Sequence, residues 1–474
     1  MTSGRRAKPH RYPAESMAPQ LTALIMAAGQ GTRMRSALPK VLHPVCGVPM
    51  VHWVAAAARA AGADRVVCVT RPGDGVAERL PEGVEHAPQE EGEGTGSAVL
   101  AARAALEESD VAVVLSGDVP LVSASLIEGL VESHREEGAT ATLLTTDELD
   151  PTAYGRIVRT RDGDVERIVE TKSTEGVPED VLAIREINIG TYAFDGRELV
   201  RALDEVGETD GERYLTGVFP IFRERGLKVA AHLTEDTLSA MGVNTRADLL
   251  DVTRHAQRRI LAAHARAGVT FTAPDSVEID ASVELGEDTT IAGGVTLRGA
   301  TAIGSGCAVG PQTTITDSEL GDGVTVLHAV LSECRVAGGA TIGPFAYLRP
   351  EADVRDGAKI GTFVEVKKSV IGAGAKVPHL SYIGDADIGE KANVGGGAIT
   401  ANYHRGTKSR TTIGDEARTG VHNSFVAPVR VGDAAYTGAG SVITEDVPDG
   451  ALAVSRTPQK NIEGYRQRID QEQE

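Results

Sequence analysis

The sequence predicts two unlike folds in one chain: an α/β domain built on a mostly parallel sheet, then a connecting helix and a parallel β-helix of hexapeptide repeats. Three observations predict it. Between residues 21 and about 245, apolar strand-like runs alternate with helical stretches, as in a sheet covered by helices. From Arg246 to Ala267, Leu249, Val252, Ala256 and Ile260 recur at helical spacing, and Gly268 ends the run as a C-cap does. Beyond it, Ile279, Leu285, Ile291, Leu297, Ile303, Val309 and Ile315 follow one another at an interval of six. No helix sustains that interval, whereas a three-sided solenoid with six residues per side does.

The first domain opens on Leu24-Ile25-Met26-Ala27-Ala28, a short apolar run read as a buried strand, which ends in Gly29-Gln30-Gly31-Thr32. Glycines there allow a sharp turn that aims several N–H groups at one anion. Arg33 and Lys40 follow closely enough to close over the same phosphates. The loop is neither a dinucleotide fingerprint, since Met34 stands where a third glycine is needed, nor a Walker loop, since Gly-Lys-Ser/Thr is absent. Further on, the pattern predicts a helix around Met50 to Ala61, a strand Val66 to Thr70, and a helix Ser97 to Glu107. A strand Val111 to Leu115, a helix Ala124 to Glu136 and a strand Ala139 to Thr146 follow. In such sheets ligands sit beyond the carboxyl ends of the strands, where Gly29 and Ser116-Gly117-Asp118-Val119-Pro120 fall.

In the repeats the interval of six resumes at Val336, Ile342, Leu348, Val354, Ile360 and Val366, and again at Ile371, Val377 and Ile383. Five-residue steps such as Ile315 to Leu320 slip the phase. The aliphatic residues are expected to point into the prism and small residues to turn its corners. Glycine often follows the aliphatic position directly, as at Gly286, Gly304, Gly343, Gly361, Gly372, Gly384 and Gly389. Coils of about eighteen residues predict roughly nine of them. The rhythm stops between Ile399 and Ile413 for Asn402-Tyr403-His404-Arg405-Gly406-Thr407-Lys408, a polar loop of the kind that carries function.

Composition narrows the function. With 48 Lys plus Arg against 67 Asp plus Glu, the net charge of −19 repels nucleic acid and anionic membrane surfaces, so neither is expected as a partner. Cys46, Cys68, Cys307 and Cys334 are too widely spaced for a zinc pattern or a disulfide framework and suit a reducing cytoplasm. No apolar run approaches the ~18 residues of a membrane span. Residues 1–20 carry basic residues and prolines without an apolar core, so they read as a disordered tail rather than a secretion signal, with Met17 an alternative start. The expected divisions are this tail, an α/β domain over 21–245, a linker helix over 246–268, the β-helix over 269–456 and a tail over 457–474.

The string Gly-Gln-Gly-Thr-Arg-Met followed by Pro-Lys-Val-Leu resembles the signature loop of sugar-1-phosphate nucleotidyltransferases. Joined by a helix to hexapeptide repeats, it resembles the bifunctional N-acetylglucosamine-1-phosphate uridylyltransferase/glucosamine-1-phosphate N-acetyltransferase family over about residues 21 to 465. The resemblance implies a left-handed β-helix, a cytoplasmic homotrimer, and two reactions. In one, the sugar phosphate attacks UTP; in the other, acetyl-CoA acylates the amine of glucosamine 1-phosphate. It implies that the backbone around Ala27, Ala28, Gly29 and Gly31, with Arg33 and Lys40, holds phosphates. Asp118 and Asn244 match the ligands of Mg²⁺, Gln89 and Gly94-Thr95 the uracil site, and Gly155, Glu170 and Asn188 the sugar site.

In the repeats, His379 matches the general base, as the pKa range of histidine suits. Arg349 and Lys367 match sugar-phosphate ligands, and Glu365, Tyr382, Asn393 and Asn402 groups that orient the sugar and its amine. Gly396 matches an oxyanion donor. Tyr403, Val421, Ala439 and Arg456 match the acetyl-CoA side, and Lys408 a residue reaching a neighbouring subunit.

The sequence departs from the family near its substrates. Gly92-Glu93 stand in place of Gln-Leu or Gln-Asn, Ser97 in place of His, Ser116 in place of Tyr or Cys, and Gly217 in place of Asp. Ile189 replaces Thr or Ser, and Val421-His422 replace Ser and a polar residue, removing a hydroxyl near the thioester. An alternative reading therefore stands beside the bifunctional one: a monofunctional nucleotidyltransferase whose β-helix only trimerises or regulates. A non-enzymatic nucleotide-sugar sensor is a third, which the set Lys40, Asp118 and Asn244 argues against.

Overall fold

The computed structural model describes residues 20–152, 154–161, 163–169, 171, 176–209 and 211–473. It divides into two compact units, residues 1–256 and 257–474.

The first unit is a nine-stranded sheet between helices. Its elements are β1 (Leu21–Met26), α1 (Met50–Ala60), β2 (Arg65–Thr70), β3 (Glu85–Pro88), α2 (Thr95–Leu100) and α3 (Arg103–Glu107). They continue with β4 (Val111–Ser116), α4 (Ala124–Glu136), β5 (Ala141–Thr146), β6 (Arg156–Arg159), β7 (Val165–Val169) and β8 (Ile187–Phe194). Next come α5 (Gly196–Leu203), α6 (Val218–Glu224), β9 (Val229–Leu233) and α7 (Arg246–Arg266), within which the division between units falls. The strand order is β9-β5-β8-β4-β1-β2-β3, with β6 and β7 joined off β8.

Around β1 the pairing is parallel, with Ile25 opposite Leu115 and Cys68. β8 runs antiparallel to β4, β5 and β6, and β6 and β7 pair antiparallel with each other. Strand alternation sends Ala23 and Ile25 into one apolar layer with Val54 and Leu130, and Leu24 into the other with Phe194, Phe219 and Phe222. Each buried Val, Leu, Ile or Phe among them contributes about 1.5–3 kcal/mol. The predicted helix Ser97 to Glu107 is broken in two at Ala101–Ala102, so that α3 packs along α5. Helix α7 starts at a capping box: Asp248 N–H donates to Thr245 Oγ1 (3.2 Å), and the Asp248 carboxylate accepts from Thr245 N–H (2.8 Å) and Asn244 N–H (2.9 Å). Asn244 is thereby fixed at a helix entrance.

The second unit is a left-handed β-helix of three parallel faces, carrying seven, ten and nine strands. One ladder runs Ile291, Val309, Val326, Ile342, Ile360, Val377, each residue paired with the next and buried. The longest face has ten strands against the roughly nine coils that the spacing predicts, because five-residue sides make coils such as Val326 to Ile342 shorter than eighteen residues. The aliphatic positions point inward as expected, Leu285 at the end of the prism being only partly buried.

The corners differ from expectation. Many are turned by larger residues at positive φ, among them Phe345 (58°), Phe363 (56°) and Leu380 (48°). That conformation costs about 1–2 kcal/mol for a residue with a Cβ. Stacking offsets part of the cost: the Phe345 and Phe363 rings lie 5.2 Å apart and nearly parallel, with His328 5.4 Å beyond Phe345. Glycines after the aliphatic position serve close coil contact instead, since a Cβ on Gly361 would stand 2.0 Å from the Pro378 carbonyl oxygen. The break in the rhythm is a small hairpin, Tyr403–His404 against Thr407–Lys408. A helix, α8 (Tyr465–Gln473), closes the chain.

Candidate active sites

The strand order β4-β1-β2-β3 lays four chain segments side by side at the carboxyl ends of parallel strands: Ser116–Asp118, Ala27–Gly29, Arg71 and Gln89. They line a cleft of about 740 Å³ that also takes in Gln30, Lys40, Glu93, Gly94, Thr95, Tyr192, Tyr214 and Thr216. Short bonds hold its floor. Ala27 N–H donates to the Val69 carbonyl (2.8 Å) and Gly117 N–H to the Met26 carbonyl (2.9 Å). Gly31 takes φ 61° and packs so closely that a Cβ would lie 2.7 Å from Lys40 Cβ, which fixes where the lysine starts.

At one end of the cleft the Lys40 ammonium contacts the Asp118 carboxylate and lies 3.2 Å from Asn244 Oδ1. Arg33 donates to the same Asn244 oxygen at 2.9 Å. Val243 N–H bonds the Asp118 carbonyl (2.9 Å), tying the entrance of α7 to the end of β4. A carboxylate and an amide oxygen far apart in the sequence thus converge on one cationic group. Among the described residues there is no cluster of three or more His, Cys, Asp or Glu side chains that could hold a metal. One carboxylate and one amide oxygen are hard oxygen donors, the kind that Mg²⁺ takes.

At the other end Gln89 Nε2 donates to the Gly92 carbonyl (2.9 Å), and Thr95 Oγ1 accepts from Leu215 N–H (2.9 Å). Gly155 and Asn188 are joined through the backbone (2.9 Å), and Asn188 Nδ2 donates to the Tyr192 hydroxyl (2.8 Å). Asn188 therefore reaches the cleft through Tyr192, and neither it nor Gly155 lines it. Glu170 lies outside the described residues. Sequence reasoning did not assign Arg71, Tyr192 or Tyr214 to the site and named Glu93 only as a departure from the family; strand order alone identifies Arg71.

In the second unit the candidates form two ladders on either side of one corner. On one face Tyr347, Glu365, Tyr382 and Ile399 stack coil on coil, with Lys367 opposite Gly384 beside them. Arg349 Nη1 donates to Glu365 Oε1 (2.8 Å), which holds the guanidinium above its usual pKa, and it sits 5.9 Å over the Tyr347 ring. Arg349 is thus paired with another candidate rather than standing as a bare cation. Lys408 lies beside Lys367 of its own chain. The neighbouring ammonium pushes the Lys408 pKa down, against the opposing pull of Asp385. Buried Asn402 contacts the Asp385 carboxylate and lies 3.4 Å from the Tyr382 hydroxyl. Asp385, three residues after Tyr382, is a further residue that sequence reasoning passed over.

The other ladder carries His379, exposed at the end of its strand, just before the corner at Leu380. Gly397 N–H bonds the His379 carbonyl (3.1 Å), and a Cβ on Gly396 would lie 3.3 Å from His379 Cβ. One coil further His422 N–H bonds the Gly396 carbonyl (2.8 Å), next Gly440 N–H bonds the Val421 carbonyl (2.8 Å), and Arg456 Nη1 donates to the Ala439 carbonyl (3.0 Å). His379, Gly396, Val421 and Ala439 therefore form one column along the axis. Asn393 is exposed and pairs with Lys376 and Arg418 on the same face, and Tyr403 is exposed on the hairpin.

Residues 23–216 match the family described as MobA-like NTP transferase domain. The chain is 45% identical to the bifunctional protein GlmU of Listeria monocytogenes serotype 4a over 94% of its own length and 98% of the relative's. Identity is 45% with the protein of that name from Brevibacillus brevis, over 95% and 98%. With that of Mycolicibacterium gilvum it is 47%, over 93% and 91%. The chain belongs to the GlmU family. These are the bifunctional N-acetylglucosamine-1-phosphate uridylyltransferase/glucosamine-1-phosphate N-acetyltransferases, so the GlmU-type chain carries two transferase activities, and the single-activity alternative is not favoured. No helix among the described residues is long and apolar enough to cross a membrane.

Proposed function

We propose that the second unit acetylates glucosamine 1-phosphate from acetyl-CoA and the first unit then joins N-acetylglucosamine 1-phosphate to the uridylyl group of UTP, releasing pyrophosphate. The observation that carries the first-unit reading is the convergence of Asp118, Asn244, Lys40 and Arg33 at the mouth of a cleft floored by a glycine loop. Nucleotidyl transfer needs charge neutralisation and in-line placement more than covalent help. Asp118 and Asn244 would hold Mg²⁺, which would neutralise phosphate charge when bound. Backbone N–H groups of Ala28 to Gly31, with Lys40 and Arg33, hold the triphosphate, and Gln89 with Gly94 and Thr95 takes the base. Gly155, Glu170 and Asn188 take the sugar, Asn188 through a position that Tyr192 fixes.

In the second unit Lys367, Lys408 and Arg349 bind the sugar phosphate, and Glu365, Tyr382, Asn393 and Asn402 orient the ring and amine. His379 takes the proton as the amine attacks the thioester carbonyl; the carbon–nitrogen bond forms, the carbon–sulfur bond breaks, and the thiolate of CoA leaves. An N–H near Gly396 receives the oxyanion. The column from His379 to Ala439 spans three coil steps, roughly 14 Å at the usual strand spacing. That is room for an extended pantetheine arm running past Val421 towards Ala439 and Arg456, with Tyr403 contributing from the hairpin. The exposed corner ladder of Phe345, Phe363 and Leu380 supports a homotrimer packed on this face. The enzyme works in the cytoplasm, where both co-substrates are available.

Separate assays of the two half-reactions test this. His379→Ala is expected to remove acetyl transfer by a factor of roughly 10²–10⁴ with uridylyl transfer unchanged. Equal loss of both, or of neither, contradicts the assignment.

A further inference from the structure

Arg71 belongs to no motif, yet it stands at a decisive place in the first unit. It follows β2, between the phosphate loop after β1 and Gln89 after β3, and it lines the cleft beside Ala28, Gln89 and Gly94. Its guanidinium is held at two points. Nε donates to the Ala28 carbonyl (2.6 Å) and Nη2 to the Glu93 carboxylate (2.6 Å). Glu93 is itself anchored, its carbonyl accepting from Arg213 N–H (2.9 Å), and it stands where the family resemblance expects Leu or Asn. The third nitrogen, Nη1, has no protein partner among the described residues, and the Arg71 side chain is 32% exposed.

We infer that Arg71 is a specificity-determining residue for the nucleotide: gripped by Ala28 and Glu93, it turns its remaining amino group to an oxygen acceptor of the uridine half of UTP. The inference rests on the assignment of this cleft to UTP. Charge argues for uridine rather than phosphate. The Glu93 carboxylate neutralises the guanidinium locally, so the pair is a weak attractor of polyanions, and Arg33 and Lys40 already serve the phosphates. What remains is a rigid, directional donor. Arginine is suited to this because its planar fork makes several bonds at once without reorganising. Uridine offers the base carbonyl oxygens and the ribose hydroxyls. Cytosine carries an amine where uracil has O4, so a fixed donor opposite O4 also rejects CTP.

The test compares UTP, CTP and 2′-deoxy-UTP as substrates for the full chain with Mg²⁺ and N-acetylglucosamine 1-phosphate. Turnover of UTP by the unaltered chain establishes the cleft assignment; its absence defeats that assignment, and this inference with it. Given that turnover, Arg71→Ala is expected to lower kcat/KM for UTP by about ten- to a hundredfold, mainly through KM, the loss typical of a hydrogen bond to a charged group. KM for the sugar phosphate stays unchanged. A fall in the UTP-to-CTP preference assigns the contact to the base, and a fall in the UTP-to-deoxy-UTP preference assigns it to the ribose; either supports the inference. Both preferences unchanged in Arg71→Ala overturns it. Arg71→Lys is expected not to rescue, because an ammonium cannot hold Ala28, Glu93 and the nucleotide together. Glu93→Leu, which keeps the guanidinium but loosens it, is expected to weaken the same preference to a smaller degree. It carries the test should Arg71→Ala not fold, and an unchanged preference in it refutes the grip.

Discussion

Asp118→Asn is the perturbation that separates metal chemistry from simple phosphate binding in the first unit. The substitution keeps the shape of the side chain and removes one charge from a part-buried group, 20% exposed, that faces a lysine 14% exposed. In the native site the Asp118 and Lys40 charges cancel, so a bound Mg²⁺ would supply its double charge against the triphosphate, with Arg33 adding one more. In the Asp118→Asn chain Mg²⁺ would be offered two neutral amide oxygens beside the unopposed Lys40 ammonium, which contacts both positions in the native chain. A metal that no longer sits there forfeits transition-state stabilisation of several kcal/mol. Taking ~3–4 kcal/mol at ~1.36 kcal/mol per decade, kcat for uridylyl transfer should fall roughly 10²–10³-fold. The Mg²⁺ concentration for half-maximal rate should rise. Pyrophosphate release measured across a Mg²⁺ titration reads both quantities, and thiol release from acetyl-CoA by the same preparation checks that the second unit is intact. Uridylyl transfer at the native rate with native Mg²⁺ dependence would refute the role given to Asp118.

Other outcomes follow from the same structure. Lys408→Met should raise KM for glucosamine 1-phosphate by roughly tenfold and leave KM for acetyl-CoA unchanged; an unchanged sugar-phosphate KM contradicts the two-ammonium site. Gly361→Ala, which forces a Cβ to within 2.0 Å of the Pro378 carbonyl oxygen, should cost about 1–3 kcal/mol; a native unfolding temperature would show that the coils can spread. Burial of His134 lowers its pKa from 6.5 to about 4, so it stays neutral in the fold where it is protonated in the unfolded chain. Its contribution is complete above about pH 6.5 and lost as pH falls to about 4. Calorimetry of His134→Gln should therefore show a shallower loss of stability across that window, and identical slopes would contradict the assignment.

The solenoid was legible because one side chain in six must face a narrow core, so its periodicity survives in the sequence even when a five-residue side shifts the phase. Its corners were not. Phe345, Phe363 and Leu380 look like core residues by composition, and only the stacking of successive coils places them outside. In the first unit the phosphate loop, Lys40, Asp118 and Asn244 were legible as strings with fixed neighbours. β8 was read only through Asn188, and its antiparallel insertion between β4 and β5 left no local mark, since direction is a property of pairing. Arg71 and Glu93 lie 22 positions apart and meet only because parallel strands bring their ends together. The break at Ala101–Ala102 was hidden by good helix formers on both sides, and packing of α3 against α5 decides it.

The central claim is that both sites of this one chain work in sequence on the same sugar. Mass spectrometry of a single mixture of the chain, glucosamine 1-phosphate, acetyl-CoA, UTP and Mg²⁺ tests it directly. The account predicts UDP-N-acetylglucosamine, CoA and pyrophosphate in equal amounts. Uridylylation of supplied N-acetylglucosamine 1-phosphate, with glucosamine 1-phosphate left unacetylated, would contradict it and mark the column at Val421 as inactive.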